Sequence, residues 1–112
     1  MAMKILDVPF SFTEWLKKPV QEHKGKTGTS SWRTFEKGNI RVRLVDYSEG
    51  FQSDHWCSRG HVLYVLKGEL TVEMKNGQVH VLPEGTGFQT SDDKSNPHSV
   101  LSQQGARVFI VD

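Results

Sequence analysis

Glu69-Leu70-Thr71-Val72-Glu73-Met74-Lys75-Asn76-Gly77-Gln78-Val79-His80-Val81-Leu82 is the stretch that decides the fold. Its first half alternates polar and apolar side chains, with Leu70, Val72 and Met74 in one phase, the period of a strand with one buried face. Asn76-Gly77 then breaks the alternation. This pair favours a type I′ turn, because both central positions need positive φ. Gln78 to Leu82 reads as the returning strand. A lone hairpin is not stable in water, so its apolar face must meet further strands.

Those strands lie on both sides. Upstream, His61-Val62-Leu63-Tyr64-Val65-Leu66 is apolar in both phases, as a central strand should be, and Lys67-Gly68 interrupts it before the hairpin. Ile40-Arg41-Val42-Arg43-Leu44-Val45 alternates apolar and charged residues. Downstream, Pro83-Glu84-Gly85 turns the chain into a short strand, Thr86 to Thr90, centred on Phe88. A polar loop, Ser91 to Asn96, precedes a strand from His98 to Leu101. Gln103-Gln104-Gly105-Ala106 turns again, and Arg107 to Val111 is the last strand. Short strands at regular spacing, punctuated by Gly, Pro, Asn and Asp, predict an all-β sandwich or barrel. The one helical hint is the capping-box spacing of Ser11 and Glu14, which predicts at most a short helix or an extended arm. Residues 20–28 read as a mobile loop.

The 112 residues suit one domain, with 1–27 as an N-terminal arm and loop and 28–112 as the barrel. With 14 Lys and Arg against 13 Asp and Glu, the formal charge is +1. Such a chain has no field to gather nucleic acid. One cysteine allows no internal disulfide, which points to a reducing cytoplasm. Met1-Ala2-Met3-Lys4-Ile5-Leu6-Asp7 reaches a charge too early for a signal-peptide core. No apolar run approaches the ~20 residues of a membrane helix. Neither nucleic acid nor membrane is expected as a partner; a small-molecule ligand is.

The chemistry concentrates in Asp54-His55-Trp56-Cys57-Ser58-Arg59-Gly60-His61 and Asn96-Pro97-His98. Imidazole and thiolate are strong protein ligands for late first-row metals. On an extended strand, His55 and Cys57 share a face and Trp56 points away. His61 is in phase with Leu63 and Val65, and His98 with Val100. His55, Cys57, His61 and His98 can therefore converge on one interior metal site. Taken singly, each histidine reads equally as a hydrogen-bonded core or surface residue, and Cys57 as a small buried hydrophobe or a redox-sensitive thiol. His80 reads as solvent-exposed, out of phase with the core face, and His23 as a loop residue. Arg41 and Arg43, in phase with Val45 and Tyr47, either form a solvated charged face or stand, one or both, near the barrel mouth. In the second case Arg41, Arg43 and Tyr47 bind substrate, the arginines pairing with its carboxylate or phosphate. Arg59 is a similar candidate. Asp54 reads equally as an acceptor that orients a ligand imidazole and as an exposed loop carboxylate, and Trp32 and Phe88 belong to the core or the pocket wall.

These residues resemble the two motifs of the cupin superfamily. The first motif runs Gly, a spacer, His-x-His, three or four residues, Glu, six residues, Gly. Here the frame is Gly50, a spacer one residue short, His55-Trp56-Cys57, three residues, His61, six residues and Gly68. Cys57 stands at the second-His position and His61 at the Glu position. The second motif is matched by Gly77, Pro83, Gly85 and Pro97-His98, with a slightly longer loop before the His. The resemblance covers residues 38–112, and Asp54-His55-Trp56-Cys57 is similar to the hallmark of small single-domain DHCW-motif cupins. It implies a jelly-roll barrel of two antiparallel sheets, a divalent metal and, as is frequent in the superfamily, a homodimer; the donor types suit a transition metal, Zn, Fe or Ni.

The departures change the expected chemistry. Without the Glu, three neutral imidazoles leave a divalent ion its full charge, which favours an anionic ligand and acidifies bound water. A Cys57 thiolate would return the charge in softer form and tilt the site to tetrahedral, structural zinc. With Cys57 off the metal, open positions suit Fe with dioxygen, or Zn and Ni with water. The expected function is a metal-binding protein acting on a small polar or anionic molecule, as an oxygenase, isomerase or hydrolase. The alternative is a non-catalytic ligand-binding or sensing module with a structural or empty metal site. A third reading is a structural homodimer with Trp56 at its interface.

Overall fold

Nine strands follow one another along residues 2–112, which the structure, a computed structural model, describes. They are β1 (Gln21–Lys24), β2 (Thr29–Lys37), β3 (Ile40–Tyr47), β4 (Phe51–Gln52), β5 (His61–Met74), β6 (Val79–Pro83), β7 (Gly87–Thr90), β8 (His98–Ser102) and β9 (Ala106–Val111). Every ladder is antiparallel. One sheet runs β1-β2-β3-β9-β5-β7 and the other β6-β5-β8-β4. No helix is long and apolar enough to cross a membrane among the described residues.

β5 belongs to both sheets, and this corrects the expected break at Lys67-Gly68. The strand runs unbroken for 14 residues. Its first half pairs with β9 and β7, its second with β8 and β6. The register against β9 slips between Val65 and Lys67, and Gly68 follows at φ +80°. A side chain at Gly68 would run into the Gly105 carbonyl. The glycine bends the strand from one sheet into the other instead of ending it.

The hairpin turn also differs from expectation. Gly77 N–H donates to the Met74 carbonyl at 2.9 Å, and Met74 N–H to that of Gln78 at 2.8 Å. Gly77 has φ +97°, while Asn76 lies outside the positive-φ region. This is a type I turn closed by a left-handed glycine, a three-residue loop rather than type I′. The Asn76 side chain accepts the Gln78 N–H at 3.0 Å. The extra loop residue reverses the phase of β6. Val72 pairs with His80 and Leu70 with Leu82, so His80 lies on the core-side face. It is still exposed, as expected.

The core lies between the sheets and comprises Val45, Leu63, Val65, Leu70, Val72, Leu82, Ala106, Val108 and Ile110. Four of these come from β5, which explains why its apolar run is the longest in the chain. The N-terminal segment folds differently from the expected arm and loop. Residues 21–24 form β1, paired with β2 from Gln21↔Trp32 to Lys24↔Thr29. The capping box does not form: Trp15–Lys17 is a single 3-10 turn with Glu14 at its N-cap and no side-chain cap. The Asn39 amide accepts from Leu6 N–H and donates to the Lys4 carbonyl. Trp15 meets Phe109 edge-on at 5.6 Å. The arm is thereby tied to the outer side of the first sheet.

Candidate metal centre and cavity

Cys57 and His98 are clamped together by backbone. Cys57 N–H donates to the His98 carbonyl at 2.7 Å, and His98 N–H to that of Cys57 at 2.9 Å. His98 opens β8 and His61 opens β5. The turn before His61 is anchored by Gly60 N–H, which donates to the Asp92 carboxylate at 2.6 Å. One donor atom from each of Cys57, His61 and His98 lies within 4.8 Å of the others. The two Nε2 atoms are 2.9 Å apart, and Cys57 Sγ is 4.0 Å from His61 Nε2. Ligand bonds of about 2.0–2.1 Å to nitrogen and 2.3 Å to sulfur let a single ion span these gaps. The donor set fits a divalent transition metal.

His55 stands outside this group. It is exposed, with Nδ1 at 2.9 Å from the Asp54 carboxylate and 3.5 Å from Ser53 Oγ. The inference that His55 and Cys57 share a face requires an extended strand. Residues 53–60 form none; Cys57 alone makes a bridge. Asp54 does orient an imidazole, but that of His55, and both side chains lie in solvent. Trp56 points outward, with Lys75 Nζ 4.6 Å from its ring centre.

Asp112 completes the cluster, and the sequence reading did not single it out. Its side chain is 1 % exposed. One carboxylate receives Arg41 twice, Nε at 2.9 Å and Nη2 at 2.9 Å, and Arg43 Nη2 at 3.1 Å. Its Oδ2 also lies 3.1 Å from His61 Nδ1. Burial raises the Asp112 pKa, but the Arg41 hydrogen bond and the charges of Arg43 and Arg41 outweigh it, leaving the group at about 2. A carboxylate can only accept, so His61 Nδ1 carries the proton and Nε2 turns a lone pair toward His98. Burial lowers the pKa of His61, opposed by Asp112. Burial, then the charges of His61 and His55, bring His98 down to about 4. Both imidazoles are neutral at pH 7, the form that binds metals. A faint signal for Asp112 exists in the sequence: Ala106, Val108 and Ile110 point inward, and Asp112 continues their phase.

The cluster faces a cavity of about 650 Å³ whose wall includes Arg41, Arg43, Tyr47, Trp32, Phe88, His55 and Arg59. Arg41 and Arg43 do share the inward face with Tyr47, but both spend donors on Asp112. The Arg43 guanidinium lies 4.4 Å from the Trp32 ring centre, and its Nε is buried without a partner. Tyr47 stacks on Phe51 at 4.7 Å, and burial pushes its pKa up to about 12. His23 is not a loop residue: it sits in β1, its ring 4.3 Å from Trp32, and its Nε2 is buried and unpartnered.

No family model matches this chain, and no curated protein matches it. Solved structures do. Fe(II)-HppE with the alternative substrate (S)-1-HPP superposes with a TM-score of 0.73 at 14 % identity, over 92 % of this chain and 60 % of that one. An RmlC-like cupin from Shewanella frigidimarina gives 0.68 at 19 % identity, over 91 % and 86 %. The fold is that of a cupin. A sugar phosphate isomerase from the cupin superfamily, from Silicibacter pomeroyi, gives 0.61 at 18 % identity, over 73 % and 57 %. The chain thus spans about three fifths of HppE and somewhat less of the isomerase. On this cupin-like fold, the residues at the second-His and Glu positions of the first motif, Cys57 and His61, are the ones gathered with His98. His55, at the first-His position, stands at the cavity rim.

Proposed function

We propose that this cupin holds a divalent transition metal through Cys57, His61 and His98 and acts on a small anionic molecule in the cavity beside it. The observation that carries this reading is the convergence of three neutral or thiol donors on one point of the cavity wall. A cation there would supply a Lewis acid and, if iron, a redox centre. The protein's own residues do the rest. Two guanidinium groups share one carboxylate, so the wall beside the cluster keeps a net positive charge that draws an anion. Trp32, Tyr47 and Phe88 give the cavity an aromatic lining that limits water around it. That HppE is an Fe(II) protein and another cupin neighbour a sugar phosphate isomerase supports metal chemistry or anion handling on this fold, without choosing between them.

A second reading is a closed structural or sensing site. His55 lies on the same cavity wall, and its charge bears on His98. Turned inward, it would make a fourth donor and leave no position for a substrate. Elemental analysis of protein purified without added metal tests both. The catalytic reading expects about one metal per chain in wild type, loss in His98→Ala, and retention in His55→Ala. Metal lost equally in His55→Ala favours the closed site; substoichiometric metal in wild type, or retention in His98→Ala, overturns the metal reading. We also propose a homodimer, because Val62 and Tyr64 stand exposed on the outer side of the first sheet. Sedimentation equilibrium on wild type and Tyr64→Lys decides it: a wild-type monomer ends that proposal.

A further inference from the structure

We propose that Asp112, held by Arg41 and Arg43, is the positioning residue that fixes His61 as a metal ligand. The inference rests on the metal reading above and goes a step further, naming what prepares the site before the ion arrives.

An imidazole binds a metal only through a nitrogen that carries no proton, and each neutral ring has two tautomers to choose from. His61 Nε2 faces His98 Nε2 at 2.9 Å, so the useful tautomer is the one protonated on Nδ1. The Asp112 carboxylate selects it by accepting from Nδ1 at 3.1 Å. The carboxylate cannot turn away, since Arg41 grips both of its oxygens and Arg43 grips the one that serves His61. Backbone sets the same pairing: Arg41 N–H donates to the Asp112 carbonyl at 2.7 Å, and Asp112 N–H to that of Arg41 at 2.9 Å. The arginines surround the buried carboxylate with donors and leave Oδ2 facing His61 Nδ1 as an acceptor. Partners of this kind on a ligand imidazole are worth about 10–100-fold in metal affinity. Arg41 and Arg43 therefore serve the metal ligand first and the cavity second, which refines the role the sequence suggests for them.

Asp112→Asn is the informative substitution. It keeps the shape but offers one oxygen where two arginines and one imidazole N–H compete. With the amide nitrogen turned to His61, Nδ1 becomes the acceptor and the proton moves to Nε2, where it blocks the metal. Two readouts on the full chain test this. Nitrogen-15 NMR of the metal-free protein reports the His61 tautomer, and competition with a chromophoric chelator reports Zn(II) affinity. The expected result is an Nδ1–H tautomer in wild type, a shift toward Nε2–H in Asp112→Asn, and a 10–100-fold loss of Zn(II) affinity. Arg41→Gln, which leaves Asp112 in place, should lose only a few-fold and keep the tautomer; it and the wild-type tautomer decide the matter if Asp112→Asn does not fold. An Nε2–H tautomer in wild type, or equal affinity in Asp112→Asn, overturns the inference while leaving the metal site standing. No Zn(II) binding by wild type overturns the proposed function and the ligand role together.

Discussion

At the scale of single residues, chemistry depends on which side chains are made to face one another. His55 and His98 are the same residue type in equally suggestive motifs. His98 is 5 % exposed and placed by two backbone hydrogen bonds; His55 sits in an irregular segment, its ring turned to the exposed Asp54 and Ser53 side chains and not to the cluster. Asp112 shows the reverse: a residue without a motif becomes the hub of the cluster because β9 carries it to β3. Tyr47 offers a test of how dry the cavity wall is. Its folded-state pKa of about 12 lies above the ordinary value of 10.0. The phenol thus contributes stability that is fully present below pH 10 and is lost as pH rises through 12. Urea denaturation should show a loss of about 1 kcal/mol between pH 9 and pH 11, and Tyr47→Phe should lose less over the same interval. An equal loss in both proteins would show that the hydroxyl is well solvated.

At the scale of elements, two glycines with positive φ do different work. Gly77 closes the hairpin in open space, so Gly77→Ala meets only the backbone penalty of the left-handed region, about 1 kcal/mol. Gly68 lies where β5 changes sheets, and a side chain there also meets the Gly105 carbonyl. Gly68→Ala should therefore cost at least about twice as much. Comparing urea midpoints of the two variants checks this; similar midpoints would mean that the bend relaxes freely. The same elements show where periodicity reads well and where it fails. Alternation places β3, β5, β6, β8 and β9 close to their observed positions, since a half-buried strand imposes its period on composition. It cannot count the residues in a turn. One residue more in the Asn76-Gly77 loop brings His80 onto the core-side face, and a lone glycine reads the same whether it ends a strand or bends it.

At the scale of the molecule, β5 joins the sheets, and the core draws Leu63, Val65, Leu70 and Val72 from it. Leu70 is fully buried there. Leu70→Ala should cost roughly 3 kcal/mol, measured by chemical denaturation, and should loosen both sheets together; local hydrogen exchange confined to β6 would contradict a shared core. The sequence by itself determined that the chain is all-β, where most strands lie, and which residue types could hold a metal, because these follow from local period and donor chemistry. It determined neither the set of donors that meet nor what orients them. Only the tertiary structure decided that Cys57, His61 and His98 converge while His55 does not, and that Arg41, Arg43 and Asp112 lie behind His61. The reason is physical: a ligand set is a set of distances. Those distances are set by ladders joining residues up to 71 positions apart in the chain, which no spacing within a motif can encode.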